Sequence, residues 1–224
     1  MSKKYKDFIK TYWNYYRELE NELFACKKYV EFSFDNRNVY SIEFLKLYLS
    51  VCSEIDVVGK RLAQLANSSF KPDDKTNNIL KWWYEVEKHY KLDNSILEDV
   101  QCSFIDTITV KPWNNFQVIS KLNKKGASYL ALDQGKKIPE WWSLYNKVKH
   151  NRTLAIPKGH KTYYTKATLW NLIYSFAALY ILEKVLMDSQ GTAVDIQSLY
   201  DISILFEKKT IVTERDIDEM FKHV

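Results

Sequence analysis

Apolar side chains recur at three- and four-residue steps along most of this chain. Tyr5, Phe8, Tyr12, Tyr15, Leu19, Leu23, Cys26 and Val30 mark one face of a long first helix. After the turn-like Phe34 to Asn38, Ser41 is placed to cap a second helix with the stripe Phe44, Tyr48, Val51, Ile55, Val58 and Leu62. A short loop between two long helices predicts an antiparallel hairpin. A polar connection, Ala66 to Thr76, leads to a third helix over about Asn77 to Tyr90, carrying Ile79, Trp82, Trp83 and Val86. A weaker helical pattern covers Ser95 to Val100. Phe104 to Val110 is rich in β-branched residues, and Phe116 to Ile119 is placed to pair with it across Lys111 to Asn115 as a small hairpin. Pro139 suits the first turn of a short helix that Pro157 ends, and Tyr163 to Met187 is apolar nearly all round, as a central helix would be. The tail from Ala193 to Val224 carries two shorter helical patterns.

These patterns predict an all-α fold, an antiparallel up-down helical bundle with a small β-hairpin insertion. Residues 1–190 form the bundle, with a basic loop over 113–140, and 191–224 form a C-terminal helical extension. Only 5 Gly and 4 Pro punctuate 224 residues, which favours long helices, and 46% hydrophobic residues exclude disorder. The three cysteines, Cys26, Cys52 and Cys102, are too few and too dispersed for a disulfide framework or a zinc knuckle. They read as reduced thiols. No signal-peptide pattern accompanies Met1, and the apolar run Ala167 to Leu182 is shorter than the roughly 20 residues a bilayer needs. A cytoplasmic protein without a membrane partner is therefore expected.

The net charge of +5 is unevenly spread. Residues 113–182 hold eleven Lys or Arg against Asp133 and Glu140, so this region carries +9 and the remainder −4. Such a zone is the footprint of a polyanionic partner, RNA or a nucleotide, although surface lysines also serve solubility.

Chemistry concentrates in Trp141-Trp142-Ser143-Leu144-Tyr145-Asn146-Lys147-Val148-Lys149-His150-Asn151-Arg152. Asn146 and His150 are four residues apart and share a helix face bordered by Lys149. An imidazole titrating near neutrality beside an amide and an ammonium can move protons at an anionic substrate, so His150, Asn146 and Lys149 are the candidate catalytic residues. Lys147, Arg152, Lys136, Lys137, Lys158 and Trp142 are the candidate nucleic-acid contacts, with Trp142 able either to stack on a base or to pack in the core. The simpler reading of His150 and Asn146 is closure of a helix C-terminus. Glu54 and Asp56 point to different helix faces and do not form a carboxylate pair. His89, His160 and His223 lack partners at metal spacing, so no metal or cofactor is expected.

The run Tyr145 to Arg152, the preceding tryptophan pair, the long apolar helix that begins near Ala167-Thr168-Leu169 and the helix containing Ser53-Glu54-Ile55-Asp56 together resemble the HEPN superfamily. These are small helical bundles of bacterial antiviral and toxin–antitoxin systems, many of them metal-independent ribonucleases. The resemblance implies an endoribonuclease acting through attack of a ribose 2′-hydroxyl, a homodimer with two Asn146/His150 faces across one cleft, and an antitoxin or defence-system partner protein. The family's Arg-x4-6-His motif has Tyr145 at its arginine position. Members lacking that arginine are often noncatalytic RNA-binding, nucleotide-binding or protein-interaction proteins, the alternative the resemblance carries. A tyrosine two residues after the histidine, modified in some members, is Arg152 in this chain.

Overall fold

The structure is a computed structural model that describes residues 3–90, 100–102, 108–157, 161–189, 203 and 205–208. The first helical stretch runs through α1 (Lys3–Phe8), a π-helical turn (Ile9–Trp13) and α2 (Asn14–Ala25), closing in a 3-10 turn at Cys26–Lys28. A π turn inserts one residue beyond the α repeat and so rotates every later side chain. Phe8 is buried before it, and Trp13, Tyr16, Leu19 and Leu23 are buried after it. Tyr15, expected on the core stripe, is 43% exposed for this reason.

The second helix, α3 (Ile42–Ala66), matches its sequence pattern. Ser41 Oγ accepts from the Phe44 N–H at 3.0 Å, and all six stripe residues are essentially inaccessible. The Lys46 ammonium lies 3.4 Å from Glu22, setting the start of α3 against the end of α2 as an antiparallel hairpin requires. The third helix, α4 (Ile79–Tyr90), is capped by Asn78, whose Oδ1 accepts from Leu80 and Lys81 N–H groups at 3.0 and 3.2 Å. It crosses α3 at Gly59, where an added Cβ would lie 2.7 Å from the Trp82 ring. Glycine is required there for the approach itself.

The all-α expectation is wrong: the architecture is mixed α/β. β1 (Val100–Cys102) lies between β2 (Ile108–Val110) and β5 (Phe206–Lys208), antiparallel to both. β3 (Val118–Leu122) and β4 (Ser128–Leu132) form a separate antiparallel ribbon. The expected hairpin between Phe104–Val110 and Phe116–Ile119 is not made; each strand pairs with another segment. The expected basic loop over 113–140 is largely this ribbon. Strands of three residues carry too little alternation to be read from sequence, and β5 falls where the tail suggested helix. Ser95 to Asp99 of the weak helical pattern, Phe104 to Thr107, and most of the C-terminal extension lie outside the described residues.

The last two helices are α5 (Glu140–Asn151) and α6 (Leu169–Ser189). α6 is long and apolar enough to cross a membrane, but in this structure it is packed on α3, α5 and α2 with most of its residues buried. Its expected first turn is a separate 3-10 turn, Tyr163–Lys166. Ser203 and Leu205 are anchored on α2: the buried Glu20 carboxylate accepts from the Leu205 N–H at 3.0 Å and from the Ser203 and Tyr16 hydroxyls.

Candidate functional site

The site is built on α5. Pro139 occupies the N-cap position, its carbonyl accepting from Trp142 and Ser143 N–H groups at 3.1 and 3.0 Å, and Glu140 complements the positive helix end. Lys149 and His150 complement the other end. The helix buries Trp141, Trp142, Tyr145 and Val148. Trp141 donates its indole N–H to the Pro112 carbonyl at 2.9 Å, and its own carbonyl accepts from the Tyr48 hydroxyl of α3. A wall of Trp82, Trp83, Trp113 and Phe116, with Trp83 stacked on Trp113 at 4.4 Å between centroids, backs this face. Trp142 belongs to that wall: only 7% exposed, it meets Trp82, Trp141 and Tyr145, so it packs and cannot serve as an open platform for bases.

Between α5, α3 and the N-terminus of α4 lies a cleft of about 330 Å³. Asn146 and Lys149 line it from α5, Ser53 and Asp56 from α3, and Asn77 and Asn78 from the start of α4. Asn77 donates to the Lys71 carbonyl at 2.6 Å and Asn146 to the Trp142 carbonyl at 3.2 Å, which leaves each amide oxygen as an acceptor. Asp56 accepts from the Trp82 indole at 3.1 Å and pairs with Lys60 at 2.5 Å, so its charge is compensated. Among the described residues no carboxylate pairs with Lys149, making it the uncompensated charge of the cleft. Its ammonium sits 5.5 Å from the centroid of the Tyr145 ring. Burial pushes the Tyr145 phenol far above its ordinary value, so this position holds a neutral ring beside a lysine.

The remaining sequence candidates are dispersed. His150 is exposed and does not line the cleft. Helical periodicity sets it on the arc between Asn146 and Ser143, one turn beyond Asn146 and next to Lys149, at the rim of the lined portion. Among the described residues no side chain hydrogen-bonds to it, and Asn146 turns toward Trp142 instead of orienting the imidazole. Lys147 faces away, over the Tyr163 ring at 5.5 Å, and Arg152 is exposed at the helix end. Lys136 is half-buried and Lys137 exposed on the chain entering α5, while Lys158 and His160 lie outside the described residues. Asn77 and Asn78 carry only a helix-start signal in the sequence. Nothing local marks them as lining a cleft, because the cleft arises from long-range packing of α4 on α3.

A second polar group lies away from the cleft. Glu183, in the C-terminal half of apolar α6, is fully buried, and neither carboxylate oxygen has a hydrogen-bond partner among the described residues. Burial, reinforced by nearby Glu54, pushes it well above the usual carboxyl range. Burial also raises Glu54 to about 7. Glu54 and Asp56 do diverge, one toward α6 and one into the cleft. No group of three or more metal-ligating side chains occurs among the described residues. Comparison with known proteins gave no match to any family model, curated protein or solved structure.

Proposed function

We propose that the cleft beneath α5 binds one nucleotide unit of RNA, and that the protein is a HEPN-like RNA-binding member of a bacterial defence or toxin–antitoxin system. The observation that carries this is the convergence of Lys149, Asn146, Asn77 and Asn78 on a single cavity floored by aromatic rings. Its roughly 330 Å³ lies at the small end of ligand sites and suits one nucleotide better than a folded RNA. Lys149 supplies the charge for a phosphate oxygen. The amide oxygens of Asn146 and Asn77 accept from a base or ribose, as donors in the ligand require.

A second reading, cleavage, is favoured by the exposed imidazole of His150 at the rim. There His150 takes the proton of a 2′-hydroxyl as its oxygen attacks phosphorus, the 5′-oxygen departs with a proton, and a 2′,3′-cyclic phosphate remains. Lys149 offsets charge on the non-bridging oxygens, and His150 of a second copy would supply the acid.

Titration of a trinucleotide and incubation of a labelled mixed-sequence RNA, both in EDTA, test the two readings. Lys149→Ala is expected to weaken trinucleotide binding by about tenfold or more, as loss of a charged hydrogen bond does, whereas His150→Ala leaves it intact. Cleavage in EDTA that His150→Ala abolishes would establish the second reading. Trinucleotide affinity unchanged in both Lys149→Ala and Asn146→Ala would overturn the assignment of the cleft.

A further inference from the structure

The β3–β4 ribbon projects from the body. Its root is fixed: Val118 is buried, its N–H donates to the Glu87 carboxylate of α4 at 3.2 Å, and Asp133 N–H donates to the Gln117 carbonyl at 3.1 Å. Beyond the root, every residue from Ser120 to Tyr129 is exposed. The tip is nonetheless ordered by its own bonds. Asn123 Oδ1 accepts from the Lys125 and Ala127 N–H groups, both at 2.9 Å, and Gly126 takes the φ of +76° that the turn demands. Lys121 stands directly opposite Tyr129, which is 49% exposed, and Leu122 beside them is 72% exposed. Residues 118–132 hold Lys121, Lys124 and Lys125 and no acid.

Lysines on an open strand edge commonly guard against edge-to-edge pairing. That explains Lys121, but Lys124 and Lys125 lie in the turn, past the paired residues, where no edge needs guarding. From the ribbon the chain runs through Lys136 and Lys137 to Ile138, which lines the cleft. α4 links the same two places: Ile79 lines the cleft and Glu87 holds the ribbon root, eight residues and therefore about 12 Å apart along the helix axis.

We propose that this ribbon is a second, strand-tracking part of the nucleic-acid site, an inference that rests on the nucleotide reading of the cleft. Lys121, Lys124 and Lys125 track the phosphates of a single RNA strand whose one nucleotide occupies the cleft, and Tyr129 stacks on a base further along it. A single strand fits better than a duplex, since exposed aromatics stack on unpaired bases and the A-form major groove is too narrow to admit a ribbon.

Anisotropy titrations of the full chain with a labelled trinucleotide and a labelled 15-mer RNA, over a range of salt, test the arm. The variants are Lys121→Ala/Lys124→Ala/Lys125→Ala and Tyr129→Ala, all at exposed positions, with thermal unfolding as the folding control. The wild type is expected to bind the 15-mer at least about tenfold more tightly than the trinucleotide. The triple variant should lose that gain, lower the slope of log K against log salt by about 2, and keep trinucleotide binding. Tyr129→Ala should weaken the 15-mer severalfold while Tyr129→Phe retains it. An unchanged 15-mer affinity in the triple variant, or a preference of the wild type for duplex RNA or DNA, would overturn the arm. Loss of 15-mer binding in the triple variant from a protein that binds no trinucleotide would support the arm and overturn the cleft.

Discussion

Lys149 and Glu183 show how differently one charged side chain can be treated in this molecule. Lys149 is exposed at a cleft, its ammonium 5.5 Å from the centroid of the Tyr145 ring, so the charge is solvated and available. Glu183 has no such exit and is buried with neither oxygen bonded to any described residue, so it remains protonated well into the range where carboxyls normally ionise. Glu183 and Glu54 have folded-state values raised above the roughly 4.3 of an unfolded glutamate, so the folded state binds more protons. Their contribution is complete below that unfolded value and is lost as pH rises through the raised folded values, about 7 for Glu54 and raised by burial for Glu183. Thermal unfolding between pH 5 and pH 8 should therefore show Tm falling with pH. Glu183→Gln should raise Tm at pH 8 and flatten the profile; a wild-type Tm that climbs over this interval would contradict the assignment. The role of Glu183 is not legible in the sequence, where it only bounds an apolar run. His150 is legible as a residue but not in its exposure, which depends on where α5 meets its neighbours.

At the scale of elements, the legible part is whatever depends on neighbours in sequence. The Ser41 cap and the α3 stripe need only a helix and its next turn, and the structure holds both. The first helix keeps its expected extent and buries Leu19 and Leu23 as expected, but a π turn shifts the face before them, so that Trp13 and Tyr16 are buried where Tyr15 was expected. The strands are illegible because their partners are distant: β1 pairs with β5 across about half the chain. Gly59 belongs to this scale too, since its value lies in how closely α3 and α4 approach. Gly59→Ala gains about 1 kcal/mol of helix propensity but drives a methyl into the immobile Trp82 ring, an overpacking cost of about 1–3 kcal/mol. A net loss is expected, seen in calorimetry as a Tm lower by a few degrees. Weaker trinucleotide binding should accompany it, because Trp82 also holds Asp56 at the cleft. A Tm at or above wild type would show that the two helices separate freely.

For the whole molecule, a core of tryptophans connects elements that the sequence describes only singly. Trp82 and Trp83 from α4, Trp113 and Phe116 from the segment after β2, and Trp141 and Trp142 from α5 interlock. They seat α5 so that Asn146 and Lys149 open into the cleft and His150 remains at its rim. From the lysines of the ribbon tip the chain passes through Lys136 and Lys137 to Ile138, which lines the same cleft as Lys149. The measurement that addresses this arrangement most directly is photo-crosslinking of a 4-thiouridine-substituted single-stranded RNA to the intact chain, with the joined peptides identified by mass spectrometry. Crosslinks are expected in α5 and around Asn77 and Asn78, displaced by excess unlabelled trinucleotide, with a second set on the ribbon. Crosslinks confined to other surfaces, or none at all, would contradict this arrangement.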